Sequence, residues 1–381
     1  MQKQRKVTIL QDRLTHYRVA FFEYSRNVLS ARGVELHLVH GQASPSEVLK
    51  KDEGTVDWAD RVVNRFCRVG GKDLLCQPFP KSLRDSDLIV ITQENRILSN
   101  YPFLFRRKYF NSRIAYWGHG RNHQSTATQG LRERWKRTLL CSADWWFAYT
   151  KCTVDYLIAQ GFPENRITCL NNAIDTSRFR QELQGVPDSV ISSLRMELKL
   201  DKGSPVGLYC GSLYQEKRLD LMVAAADIIR RHLKDFSLVV IGDGPSAADL
   251  QVTFANRPWA HWIAPKKGIE KAAYFRLADV VLNPGLVGLH VLDAFCAGLP
   301  MITTATAMHS PEVAYLENGI NGIIAGDDPD EYAAAVVQLL SDQEHYRKLS
   351  EAALSASKLY TVEEMANRFA DGIYSCLQVA K

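Results

Sequence analysis

Three groups of residues have types and spacings that could do chemistry. The first is a glycine turn and the helix behind it. Asn283-Pro284-Gly285, then Gly288, precede a helical segment over 289–297, with Leu289, Leu292 and Phe295-Cys296 on its apolar side. The amides of Leu289 and His290 have no partner inside such a helix and point outward, which suits a phosphate. Asp293 sits one turn in, among apolar neighbours, and a buried carboxylate needs partners. The second group is a loop, Gly211-Ser212 at one end and Lys217-Arg218 at the other, following the apolar run 206–210. The third is a set of candidates in the first half. His119 lies between Gly118 and Gly120, which permit close backbone approach to a ligand. His16 and Arg18 lie where the first strand feeds the first helix, and ligand crevices of open α/β sheets lie at such carboxyl ends.

These residues need elements to position them. Short apolar runs at 7–10, 34–39, 87–92, 113–116, 144–149 and 167–170 read as buried strands, with a helix over 19–31 stopped by Gly33. Residues 42–84 are polar and read as irregular. A stretch with Gly185, Pro187, Gly203 and Pro205 around one helix reads as a boundary. The strand–helix rhythm then restarts at 206–210 and continues through 219–231, 237–241, 261–263, 270–277, 280–282 and 331–340, ending in helices over 342–358 and 362–379. Alternating strands and helices predict parallel sheets. The fold class expected is α/β: two Rossmann-like, doubly wound domains facing a central cleft. The first covers 1–185, with the C-terminal helix in 360–381 packed back on it; the second covers 200–359.

Composition narrows the function. Hydrophobic residues make up 46% and charged residues 23%, ordinary for a soluble globular chain. No apolar run reaches the ~18–20 residues of a membrane span, and the first residues lack the apolar middle of a signal peptide. The 8 cysteines include no CxxC pair, so reduced cytosolic thiols are expected and a zinc site is not. Charge is uneven. Residues 1–180 carry 29 Lys+Arg against 17 Asp+Glu, a balance of +12, while the remainder carries −7. One half therefore faces an anionic partner: nucleic acid, an anionic membrane surface or a phosphorylated substrate. Residues 101–110 and 131–140 mix aromatics with Arg and Lys and suit an anionic membrane surface; an amphipathic surface helix is the alternative for each. The basic residues fit no nucleic-acid module, so nucleic acid is not expected.

At this point a family emerges. The segments CGSLYQEKRLDLMVAA, VVIGDGP, ADVVLNP, LHVLDAFCAGLPMITT, PEV and NGINGIIAG resemble, in that order, the C-terminal domain of retaining nucleotide-sugar glycosyltransferases of family 4, which have the GT-B fold. In the first half ADWWFAYT and GFPENRITCLNNAIDTSRF are similar to the family's end-of-domain pattern. HYRVAFF and WGHG resemble its capsule, lipopolysaccharide and exopolysaccharide branch. The resemblance implies that Lys217 supports the leaving diphosphate, aided by Arg218, since Ser212 stands where the family has an arginine. It implies that Gly211, Gly288, Leu289 and His290 cradle the donor and that Asp293, in place of a glutamate, accepts from the ribose hydroxyls. His119 would face the transferred sugar, His16 and Arg18 the acceptor, and Glu312 the base. Gly285 occupies the place of the family's first glutamate, an acid this chain lacks.

The function expected is transfer of a hexosyl or related group from a nucleotide-diphosphate sugar to a glycan or lipid-linked acceptor, with retention. No DxD-type motif occupies a suitable loop, so no metal is expected, and the nucleotide sugar is a co-substrate rather than a cofactor. The location expected is the cytoplasm, with peripheral association at the inner face of the membrane. The alternative is a non-catalytic partner subunit that binds nucleotide sugar or glycan.

Overall fold

The computed structural model describes residues 4–45, 47, 52–105, 111–120 and 138–379. It divides into two compact units, Met1–Ile174 with Val362–Lys381, and Asp175–Thr361. Residues 106–110 and 131–137 of the two basic aromatic segments lie outside the described residues.

Unit 1 is built on β1 (Arg5–Arg13), β2 (Val34–Gly41), β3 (Asp60–Arg61), β6 (Leu88–Thr92), β7 (Arg113–Gly118), β8 (Trp145–Ala148) and β9 (Ile167–Cys169), with β4 (Arg65–Val69) and β5 (Lys72–Cys76) set apart. The seven strands pair in the order β3-β2-β1-β6-β7-β8-β9, all parallel. Parallel strands covered on both faces must be apolar throughout. Accordingly Val7, Ile9, Leu38, Val90, Ile91, Ile114 and Trp146 are fully buried. Strand order reverses between β1 and β6, and ligands bind at such switch points. Residues 42–84 are not irregular throughout: β4 and β5 form an antiparallel hairpin that turns at Gly70-Gly71, both with positive φ. Its residues are mostly exposed, so no apolar alternation announced it. The helix Val362–Gln378 packs on the helix Val19–Ala31, and the Phe369 ring lies among Phe21, Trp117 and Phe147.

Unit 2 holds β10 (Val206–Cys210), β11 (Ser237–Ile241), β12 (Ala260–Ile263), β13 (Val280–Leu282), β14 (Met301–Thr304) and β15 (Gly322–Ala325). Their order is β12-β11-β10-β13-β14-β15, again all parallel, with the reversal between β10 and β13. The unit begins before the boundary the sequence suggests. Asp175 caps the helix Thr176–Gly185 by accepting from the Arg178 amide at 2.9 Å. That helix packs on the helix Gly268–Leu277, with Phe179 and Phe275 edge-on at 5.3 Å. Residues 175–199 are therefore part of the second unit rather than a linker; the helix Asp188–Glu197, though it buries no residue fully, packs on the helix Gly268–Leu277 too.

Candidate functional site

The switch point of unit 2 brings together the loop after β10 and the turn after β13. Two hydrogen bonds lock them. The Leu286 amide donates to the Glu216 carbonyl at 2.9 Å, and the Lys217 ammonium donates to the Leu286 carbonyl at 2.5 Å. Gly285 lies so close beneath this loop that a methyl group there would overlap the Glu216 carbonyl and the Lys217 Cα. Backbone thus fills the space where the resemblance would put an acid. Gly244 plays a similar part on the other side, where any Cβ would overlap the Leu213 carbonyl.

Lys217 is 4% exposed. Burial lowers its pKa to about 8, against a small opposing effect of Glu216. Arg218, at φ 53, is in the left-handed region. Its guanidinium donates to Thr304 Oγ1 at 2.9 Å and pairs with the Asp327 carboxylate. It fastens the loop to the end of β14, where Thr304 in turn donates to the Pro284 carbonyl at 2.7 Å. Arg218 is therefore engaged within the protein, and Ser212 is exposed, with its carbonyl held by the Tyr209 hydroxyl at 2.8 Å. Gly211 donates from its amide to the Ile241 carbonyl at 3.0 Å.

The helix is shorter than its sequence pattern suggests. It spans Val291–Cys296, and residues 288–290 form a tighter turn closed by Val291 N–H to Gly288 at 3.1 Å and Leu292 N–H to Leu289 at 3.0 Å. Among the described residues no acceptor takes the amides of Leu289 and His290. Burial, with Lys217 and Lys271 nearby, holds the His290 imidazole well below its ordinary pKa, so it is neutral. Its Nε2 is buried without a hydrogen-bond partner among the described residues. His309 closes the turn from behind: its Nδ1 accepts from the Val287 amide at 3.1 Å, so Nε2 carries the proton and donates to the Thr304 carbonyl at 2.7 Å.

Asp293 has a partner that sequence inspection missed. Lys271, from the helix Gly268–Leu277, pairs with it at 2.9 Å, and its ammonium lies 4.3 Å from the Phe179 ring centroid. Burial opposes the Lys271 charge, but Asp293 and Cys210 outweigh it and its pKa is raised. A polar residue on a mixed helix face 22 positions from its partner gives no local signal. Glu312 is buried in the turn Pro311–Tyr315, which packs on the helix Val291–Cys296.

In unit 1 the candidates His16, Arg18 and His119 fall on one chain of rings. His16 stands 5.8 Å from Tyr17, Arg18 lies over Tyr17 and Tyr149 at 5.3 and 5.2 Å, and Tyr149 meets His119 at 4.4 Å. At the β1–β6 switch point, Arg96 pairs with Asp12 at 2.7 Å and Arg13 with Asp52. Burial and Glu94 nevertheless push the Asp12 carboxyl up to about 6. Among the described residues no group of His, Cys, Asp and Glu is placed to hold a metal ion.

Residues 204–342 match the model of the glycosyl transferases group 1 family. Among curated proteins, the chain is 27% identical over 194 residues to GDP-mannose-dependent alpha-(1-6)-phosphatidylinositol monomannoside mannosyltransferase of Mycolicibacterium smegmatis, covering 47% of this chain and 48% of that one. It is 25% identical over 225 residues to D-inositol 3-phosphate glycosyltransferase of Thermobispora bispora, covering 55% and 50%. The chain spans about half the length of the curated relatives it matches. Structural likeness runs further. A glycosyltransferase from Rickettsia africae ESF-5 superposes with TM-score 0.72 at 11% identity, covering 99% of this chain and 100% of that one. HepE of Anabaena, solved with UDP, superposes with TM-score 0.69 at 14% identity, covering 97% and 100%. The fold is that of the GT-B glycosyltransferases.

Proposed function

We infer that the chain transfers a sugar from a nucleoside-diphosphate donor to a glycan or lipid-linked glycan acceptor in cell-surface polysaccharide synthesis, with retention and without a metal. The observation that carries this reading is a coincidence of place. The matched domain contains, at its switch point, a buried lysine, a second lysine paired to an acid, and two amides without acceptors among the described residues. As the bond from sugar to diphosphate breaks, negative charge builds on the leaving phosphate. Preorganised cations and N–H donors in a dehydrated place stabilise that charge without reorganising. In this reading Lys217 and the amides of Leu289 and His290 meet the diphosphate. Lys271 orients Asp293 for the ribose hydroxyls, and His119 faces the transferred sugar. HepE was solved with UDP, and both curated relatives carry phosphorylated inositol in their names, which supports a nucleotide donor and a polar acceptor.

The test is release of UDP or GDP from a panel of nucleotide sugars, with lipid-linked glycan acceptors, in the presence and absence of EDTA. Acceptor-dependent release that survives EDTA is expected. The fold alone does not select the reaction, since a Listeria monocytogenes protein titled a putative UDP-N-acetylglucosamine 2-epimerase superposes with TM-score 0.64. An epimer formed without acceptor would replace the transfer reading.

A further inference from the structure

Among the described residues, Arg18 is a buried cation without an anion. It is 6% exposed, and among the described residues no carboxylate forms an ion pair with it. The hydrogen bond it makes runs to Met365 Sδ at 3.8 Å, a weak acceptor. The rest of its surroundings is aromatic, with the Tyr149, Tyr17 and Trp117 ring centroids at 5.2, 5.3 and 5.5 Å. Ring faces attract a cation, but they offset only part of what it loses on leaving water. The site is therefore poised for an oxyanion. It has an entrance as well: Tyr17, His16 and His119 are exposed around the buried guanidinium. The contributing residues come from the carboxyl ends of β1, β7 and β8, where open α/β sheets receive ligands. The charge balance of +12 over residues 1–180 has the sign that attracts such a group.

We propose that Arg18 is an anion receptor in unit 1 that takes a phosphate or carboxylate group borne by the acceptor. The assignment to the acceptor rests on the transferase reading; oxyanion binding itself rests on the geometry. A guanidinium meets either oxyanion with two parallel N–H donors, and the aromatic enclosure strengthens the contact by excluding water. His16 and His119 then stand beside the bound group, where they sense the sugar that carries it.

Calorimetric titration of the full chain with glucose 6-phosphate, glucuronate and glucose tests the proposal. At least one charged sugar is expected to bind about tenfold or more tightly than glucose. Which one does so identifies the oxyanion. Arg18→Met removes the charge at similar volume. It is expected to abolish the preference while the melting temperature holds or rises, because an uncompensated buried charge has been removed. Should Arg18→Met fail to fold, Arg18→Gln replaces it with the same expected loss of preference. Equal binding of all three sugars by the natural chain, or a preference that survives in the variant, overturns the proposal. Failure of the transferase reading would look different: neither UDP nor GDP would bind, with the oxyanion preference intact.

Discussion

Lys217 connects burial to function through its pKa. A free lysine titrates near 10.5, and this one is lowered to about 8. Between those values the unfolded chain keeps a proton that the folded chain has released. This residue therefore makes stability rise with pH across that window, and below about 8 its buried charge is a standing cost. Diphosphate binding runs the other way, because it needs the ammonium. UDP affinity is expected to be flat up to about pH 7.5 and to fall by up to ~tenfold per pH unit well above 8. Lys217→Arg should flatten the profile; a flat profile in the natural chain would remove Lys217 from the phosphate. Asp293 offers a different separation. Lys271→Met strands that carboxylate, at a cost of about 3–5 kcal/mol in denaturant unfolding. Adding Asp293→Leu should restore most of the stability but none of the nucleotide affinity. If affinity returned with stability, the pair would be structural only.

At the scale of elements, the turn after β13 is the most constrained piece of the donor side. Gly285→Ala has no room for its methyl group, so the loop carrying Lys217 must move. Overpacking of this kind costs about 1–3 kcal/mol. UDP affinity should fall by more than stability predicts, since the lysine moves with its loop. Calorimetry alongside thermal melting would separate the two effects. The helix Val362–Gln378 is the corresponding element of unit 1. Phe369 is fully buried among Phe21, Trp117 and Phe147, so Phe369→Ala should cost about 3–5 kcal/mol. Its place was legible in the sequence, which puts a helix over 362–379 against the first domain. The hairpin of β4 and β5 was not, because little of it is buried and no apolar alternation marks it.

For the whole molecule, the two units have separate cores and different continuity in sequence. Unit 2 is one uninterrupted segment, whereas unit 1 needs residues 362–381 to cover the helix Val19–Ala31. Residues 175–361 expressed alone should fold cooperatively and bind UDP within about tenfold of the full chain. Residues 1–174 alone should expose the apolar face that meets Phe369 and aggregate. Circular dichroism and calorimetry on the two fragments would show it; a fragment 175–361 that remains unfolded would mean the units are not independent. Among the described residues no helix is long and apolar enough to cross a membrane.

The sequence alone determined the parallel α/β class, the places of most strands along the chain, the glycine turn before the helix Val291–Cys296 and the buried acid within it. Each of these is local. Apolar runs, helix stops and isolated charges sit within a few residues of one another, so composition and spacing report them directly. Tertiary structure decided who meets whom. Lys271 reaches Asp293 from another helix, Asp327 takes the Arg218 guanidinium, and the backbone of Glu216 and Lys217 fills the space over Gly285. Arg18 acquires its enclosure from residues 17, 117, 149 and 365, segments that only the parallel sheet and the returning C-terminal helix bring together. Whether a buried charge is compensated depends on its neighbours in space, and spacing along the chain does not record them.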